Sequence, residues 1–452
     1  MSAGTRSAVS DSLQQTLTEL AGIAARARRE PTGKFVKLMP LLLSVDFLAA
    51  CFRELHKRAA PGVDGETWAS YAEELPQRLA RLVDWLKRGQ YWPQPVRRVY
   101  IPKDAQSVRP LGIPTIGDKI VQMAMAKILA AIFEGDFLPV SYGYRPHRDA
   151  HQALKALDTC LFTCPMTTVI DADIKGFFDS VDHAKLLICL QQRVADTPFL
   201  RLIARFLKAG VVEDEEYQET EQGTPQGGIL SPILSNIFLH YALDRWFTDQ
   251  VLPRLAGEAA LFRYADDFVI CLQNSDEACW LLQAIRDRFT RCGLTVSEEK
   301  TRLVSFGRRV WRQWRAGGVK PGTFDFLGFT HFAGTARKGT YKVGRVTSRK
   351  KFRQKLAELK AWLPGVRNLP LKEWWSTLAE KLRGHFQYFG VSGNYPALAR
   401  YYERALSLVV RALARRSQKS RNLWRWLHQY LLRYPLPRPK IMHRWYALPS
   451  GQ

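Results

Sequence analysis

The 452 residues, 46% hydrophobic and 24% charged, are enough for two or three domains with sizeable cores and exclude a disordered chain. The longest apolar runs, such as Phe47–Phe52 and Ile128–Phe133, are too short to span a bilayer, and Met1–Ser10 has no apolar secretory stretch; a cytoplasmic protein without a membrane partner is expected. The net charge of +25 points to a polyanion partner, and seven cysteines in no CxxC pair read as reduced, buried thiols.

In chain order, Ser10–Glu30 reads as an amphipathic helix with a Ser or Asp cap and a basic last turn. Asp46–Arg58 and Pro76–Lys87 read as two more helices, with the turn-rich Pro61–Gly65 between them. Val96–Pro102 alternates and is β-branched, so it predicts a strand, and Gly117–Phe133 predicts a buried helix. Thr167–Asp173 is a short apolar strand ending in acids. Gly228–Trp246 is a long apolar helix with a glycine-rich entrance, and Ala260–Leu272 is a hairpin of two apolar runs joined through two acids. Lys350–Leu363, Pro370–Phe386 and Tyr395–Ser417 read as helices, and Tyr434–Lys440 as a Pro-rich extended end. The apolar rhythm lapses at Arg308–Gly322, where a domain boundary is expected.

The positive charge is unevenly placed. From His331 to Gln452 there are 26 Lys and Arg against four Glu and no Asp, a net +22, whereas the first 330 residues carry only +3. Six Trp and eight Tyr are interleaved with the basic residues of that last stretch. Aromatics among arginines suit bases and riboses as well as phosphates, so a nucleic-acid-binding end attached to a near-neutral body is expected.

The strongest chemical signal is Tyr264–Asp267, YADD, framed by Leu261, Phe262, Phe268, Val269 and Ile270. Two adjacent carboxylates at the tip of a buried hairpin repel one another unless a cation neutralises them. A lone Asp-Asp pair is usually a solvated turn, but here a second acid-terminated strand accompanies it. Period-two alternation puts Asp171 and Asp173 on one strand face. Nucleotidyl transfer on two Mg²⁺ ions about 3.5–4 Å apart needs carboxylates from separate strands converging on one spot, which Asp173 and Asp266, supported by Asp267, can supply. Asp179 and Asp182 read instead as caps of a helix starting near Val181.

Seven blocks then fall in one order along the chain: Arg109–Thr115, Ser141–Pro146, Asp173–Asp179, Gln222–Ser231, Phe262–Phe268, Gly293–Lys300 and Phe326–Phe329. Over roughly residues 35–445 the chain resembles the reverse transcriptases and maturases encoded by bacterial group II introns. The resemblance implies an α+β, right-hand polymerase fold: fingers, a palm with an antiparallel sheet, and an α-helical thumb. It divides the chain into an N-terminal extension and start of the fingers (1–95), a reverse transcriptase core (96–330), a thumb or maturase domain (331–420) and a short basic nucleic-acid-binding end (421–452).

By the same resemblance, Asp173, Asp266 and Asp267 bind two Mg²⁺ ions and Phe178 lies under the incoming sugar, excluding a 2′-hydroxyl. Gln226 lies near the nucleotide 3′-hydroxyl. Lys103 and Arg109 lie over the triphosphate, with Lys300 nearby, although Lys300 also fits a solvated helix-end lysine. Gly328, with Phe326 and Phe329, forms the primer grip. The implied partners are dNTPs, a template RNA–primer duplex, the group II intron RNA and a DNA target, in a bacterial, nucleoid-associated setting. No cysteine follows Cys292, so the HNH endonuclease of many family members is not expected.

Three other readings share these features. A domesticated relative would serve DNA repair or phage defence without an intron. A non-catalytic splicing factor would not need the intact acids. An RNA-dependent RNA polymerase would not need the bulk of Phe178.

Overall fold

The computed structural model describes residues 3–102, 108–220, 222–224, 227–416 and 422–445, with the backbone alone for 3–11. The chain begins with α1 (Ala3–Arg29), whose last turn carries Arg26, Arg28 and Arg29 where a helix C-terminus favours cations. In α2 (Val45–Glu54) the Ser44 hydroxyl accepts from the Phe47 amide at 3.2 Å, and α3 (Leu75–Lys87) opens on Pro76. β1 (Val96–Pro102) and β2 (Val108–Ile113) lead into α4 (Ile116–Phe133), capped by Thr115 and buried on most of its circumference, as a core helix must be. Next come α5 (Ala150–Thr163), β3 (Thr168–Asp173), α6 (His183–Gln191), α7 (Thr197–Leu207), β4 (Val211–Glu213), β5 (Glu216–Gln218) and α8 (Ser231–Leu239). Asp182 caps α6 by accepting from the Lys185 amide at 2.9 Å, as its sequence position suggests.

β6 (Ala259–Tyr264) and β7 (Asp267–Leu272) form the expected hairpin, followed by α9 (Glu277–Cys292), β8 (Arg302–Ser305) and α10 (Arg308–Arg315). Then come β9 (Thr323–Phe326), β10 (Phe329–Thr335), β11 (Tyr341–Thr347), α11 (Arg349–Val366), α12 (Leu371–Phe389), α13 (Tyr395–Ala414) and α14 (Leu423–Arg433). No helix among the described residues is long and apolar enough to cross a membrane.

Three sheets result. The first has the order β2-β1-β4-β5, with β1 and β4 parallel and the other pairs antiparallel. The second, β6-β7-β3-β8, is wholly antiparallel, as expected for a palm. The third is β11-β10-β9. The fold is α+β, and helices predominate after residue 348.

The antiparallel palm sheet separates two cores. Ile170, Ala172, Phe268, Ile270 and Leu272 face α9, where Phe268 meets Phe289 with ring centroids 6.0 Å apart, in a core shared with α4 and the N-terminal helices. Val169, Val269 and Cys271 face the other way, into a core shared with Phe326, Phe329, Leu378 and Val409. This second core therefore runs from the sheet into the C-terminal helices, which fixes their position relative to the strand ends. The N-terminal segment is secured by buried Arg193. It donates to the carbonyls of Ala27, Glu30, Pro31 and Gly33 at 2.7–3.1 Å and pairs with Asp136.

Candidate active site

The β6–β7 hairpin turns on two residues, Ala265 and Asp266, with Tyr264 opposite Asp267. On its other edge β7 pairs with β3, and Asp173 stands directly opposite Asp267. Directly opposed residues of an antiparallel pair have Cα atoms about 4.5–5.5 Å apart and share a face, so two carboxylates meet at the end of the sheet and Asp266 joins them from the adjoining turn. Alternation sorts the rest of that face. Val169 on β3, with Val269 and Cys271 on β7, anchors it in the second core, and Asp171, Asp173 and Asp267 lie at its rim.

Burial pushes the Asp267 carboxyl up to about 7, and the neighbouring charges of Asp266 and then Asp171 add to the effect. Burial also raises Asp171, against the pull of Arg302, whose Nη2 lies 2.7 Å from its carboxylate. Lys300 Nζ lies 2.5 Å from the carboxylate of Asp173. The segment before Lys300 follows the end of β3: the Lys175 amide donates to Thr295 O at 2.9 Å and the Ser297 amide to Asp173 O at 2.8 Å. That pairing carries Lys300 over the acids. Asp173, Asp266, Asp267, Arg109, Lys300 and Gly328 line one open cavity of about 740 Å³. Among the described residues no three acidic, histidine or cysteine side chains are already gathered as a metal cage.

A family model described as "Reverse transcriptase (RNA-dependent DNA polymerase)" matches residues 101–331, which contain all three acids. The chain belongs to the reverse transcriptase family. It is 33% identical over 376 residues to protein YkfC of Escherichia coli K12, an overlap covering 76% of this chain and 96% of that protein. It is 31% identical over 386 residues to the group II intron-encoded protein LtrA of Lactococcus lactis subsp. cremoris, covering 69% of this chain and 64% of LtrA. A shorter stretch of 162 residues is 40% identical to a 91 kDa protein in the cob intron of Schizosaccharomyces pombe.

In this reverse transcriptase Phe178 follows a left-handed Gly176 (φ 53°) and packs edge-on against Phe177, with ring centroids 5.4 Å apart. It lines a cleft of about 350 Å³ with Tyr100 of β1, Gly112 of β2 and Gly223, rather than the cavity of the acids. Its carbonyl accepts the Thr224 amide at 2.6 Å, which ties the Gln222–Ser231 block to the Asp173–Asp179 block. A Cβ on Gly227 (φ 105°) would lie 2.8 Å from Gly112 O, so this glycine permits a close approach to the Arg109–Thr115 block. Lys103 and Gln226 lie outside the described residues.

The Phe326–Phe329 block is the β9–β10 turn, with Leu327 (φ 49°) and Gly328 (φ 80°) both left-handed. Phe326 and Phe329 are buried in the second core, so they anchor the turn and offer no surface to a primer. Leu327, which sequence reasoning missed, is half-buried at the tip and its carbonyl accepts from Tyr388 Oη at 2.9 Å. Beyond Gly328 opens a second cleft of about 630 Å³, lined by Asp267, Lys351, Lys355, Lys381, Gly384 and Tyr388. No sequence signal singled out these lysines from the surrounding basic surplus. Arg302 was likewise missed, because nothing local marks its partner Asp171, which is 131 residues away.

Proposed function

We propose that this RNA-dependent DNA polymerase copies RNA into cDNA using two Mg²⁺ ions held by Asp173, Asp266 and Asp267, and that it also binds a group II intron RNA as a maturase. The observation that carries the polymerase mechanism is the register of Asp173 against Asp267, with Asp266 in the next turn and the cations Arg109 and Lys300 on the same cavity. The donor set fits the ions: hard carboxylate oxygens suit Mg²⁺, and a half-buried cluster of carboxylates is costly to ionise without a cation. When bound, such ions would acidify the primer 3′-hydroxyl and offset the charge of the triphosphate and the leaving pyrophosphate.

The chain's own groups orient the reactants. Arg109 and Lys300, with Lys103, bind the triphosphate of a dNTP, and the planar guanidinium can do so through two parallel hydrogen bonds. The family resemblance assigns to Phe178, although it lines a separate cleft in this structure, the floor under the sugar, and to Gln226 the recognition of its 3′-hydroxyl. Gly328, lacking a Cβ, lets the primer backbone approach the acids. The lysine-lined cleft beyond it continues the path of the template RNA–primer duplex.

Group II intron RNA and a DNA target are assigned to the basic surface that follows residue 331, where the net charge is +22. The similarity to LtrA and to an intron protein of Schizosaccharomyces pombe supports this choice of RNA.

The test is extension of oligo(dT) on poly(rA) by the purified protein with dTTP and Mg²⁺. Extension by the wild type and its loss in Asp266→Ala are expected; a wild type inert with every divalent cation overturns the polymerase reading. Asp266→Ala should still promote splicing of intron RNA flanking the gene, because splicing chemistry belongs to the RNA. Loss of splicing at unchanged RNA affinity overturns that division of labour.

A further inference from the structure

Two blocks of the sequence, Ser141–Pro146 and the Arg263 that precedes YADD, have no part in the chemistry described above. The structure brings them together beneath the catalytic turn. Arg263 is fully buried and all five of its N–H donors are used. Nε and Nη2 bind the two carboxylate oxygens of Asp244 at 2.7 and 2.5 Å. Nη2 also donates to Ser141 Oγ at 2.7 Å, and Nη1 to Asn236 Oδ1 at 3.1 Å. The fifth bond, from Nη1 to Ala265 O at 3.0 Å, holds the carbonyl of the peptide that joins Ala265 to Asp266.

That peptide needs holding. Ala265 has φ 58°, a left-handed backbone that a residue with a Cβ adopts only under constraint. The other peptide of the turn is closed off by Gly143: a Cβ there would lie 2.5 Å from Ala265 N. Gly143 is itself fixed, because Asn236 Nδ2 donates to its carbonyl at 2.7 Å. The flanking backbone pairs with β6, with the Tyr142 amide donating to Arg263 O and the Arg263 amide to Val140 O, both at 2.9 Å. Asp244 reaches the site from the π-helical turn His240–Asp244, where an extra residue per turn changes the direction of side chains.

We propose that Arg263, held by Asp244, Asn236 and Ser141, is the positioning residue that fixes the left-handed turn carrying Asp266, and that Asn236 and Gly143 complete this clamp from the other side. This rests on Asp266 being a catalytic acid. A lysine, with three donors from a single nitrogen, could keep the charge pair with Asp244 but not the forked attachment to Ala265 O.

The test uses the full-length protein and Arg263→Lys, with and without Ala265→Gly, in poly(rA)·oligo(dT) extension. Arg263→Lys is expected to unfold cooperatively and to bind template–primer within about twofold of wild type, while kcat falls about 10- to 100-fold at a nearly constant KM for dTTP. Glycine adopts the left-handed turn without strain, so adding Ala265→Gly should recover at least about threefold of that kcat. A folded Arg263→Lys with wild-type kcat overturns the proposal. So does a lost kcat that Ala265→Gly leaves unchanged, which would mark a purely structural role. If Arg263→Lys does not fold, Asn236→Ala carries the same test: it cuts the links to Gly143 and Arg263 but leaves the ion pair, and the same split between kcat and binding is required of it. A wild type without extension activity defeats the polymerase reading itself, an outcome distinct from a wild-type-like Arg263→Lys.

Discussion

Lys300 sets its ammonium 2.5 Å from the carboxylate of Asp173, at the mouth of the cavity that also holds Asp266 and Asp267. The lysine side chain remains more than half exposed, at 56%. An ion pair that open to water stabilises a fold by about 1 kcal/mol or less, so its value lies in placing a cation beside the acids. Lys300→Met should shift Tm by no more than a degree or two. The KM for dTTP should rise about tenfold, because one cation facing the triphosphate is lost. A large drop in Tm with unchanged KM would return Lys300 to a structural role.

Phe178 has a backbone fixed on both sides, by left-handed Gly176 before it and by the Thr224 amide on its carbonyl. A ring on so rigid a support can exclude a 2′-hydroxyl by bulk. Phe178→Ala should therefore reduce the preference for dTTP over UTP by about 10- to 100-fold, the range open to a shape-based pocket. An unchanged ratio of kcat/KM for the two nucleotides would refute the assignment.

The acids themselves set stability against function. Asp267 is half-buried, with Asp266 and Asp171 close enough to oppose its ionisation. Asp267→Asn removes one of the mutually repelling charges, so without divalent cation the variant should melt a few degrees above wild type while polymerising nothing. Mg²⁺ should raise the Tm of wild type by binding the folded state alone, and should raise that of Asp267→Asn much less. Equal Mg²⁺ shifts in the two proteins would mean that the ion stabilises the fold elsewhere.

The palm could be read from sequence because its signals are local. Alternation along Thr168–Asp173 and Asp267–Leu272 shows which residues of each strand share a face; that Asp173 meets Asp267 is a pairing between distant strands, expected from the chemistry of paired carboxylates and from the family resemblance, not from the alternation. What was not legible depends on distant partners. Arg308–Arg315 looked like a break in the apolar rhythm, but it is a helix seated by Trp311, which packs on Tyr341 at 5.8 Å and donates to Thr335 Oγ1 at 3.2 Å. Leu423–Arg433 looked like part of a basic tail, but it is a helix whose Tyr430 packs edge-on against Trp375 at 5.0 Å. The clamp on Ala265 joins residues 141, 236, 244 and 263, a convergence that no periodicity encodes.

His331 offers a test of the second core by pH. It lies on β10 opposite Arg345, stacked on Phe324 with centroids 4.9 Å apart, and burial followed by the charge of Arg345 pushes it down to about 3. An unfolded histidine titrates near 6.5, so between about 6.5 and 3 the unfolded chain binds the extra proton and stability falls as pH falls, by up to about 1.4 kcal/mol per pH unit. His240 and His385, also pushed down to about 3, act in the same sense, whereas Asp118 and Asp136, raised to about 6, act in the opposite one. The wild-type slope therefore mixes several groups, and a single substitution isolates one. His331→Phe should lose Tm more slowly than wild type from pH 7 to pH 5, by close to one proton's worth of slope. Parallel curves would show that His331 is already protonated in the fold or reaches water.

The cleft beyond Gly328 is where the proposed path of the duplex can be tested. Lys351, Lys355 and Lys381 line it beside Tyr388 and Gly384, and Lys355 meets Glu358 in an exposed pair at 2.8 Å that adds little to stability. Each lysine that neutralises a phosphate releases condensed counterions, so log affinity falls with log salt by about 0.9 per contact. Lys355→Ala should weaken binding of an RNA–DNA template–primer uniformly across sequences and reduce the salt slope by about one, while the Tm stays within a degree or two. A lysine that merely solvates the helix would leave the slope of the wild type unchanged, and that result would remove the cleft from the duplex path while leaving the assignment of Asp173, Asp266 and Asp267 standing.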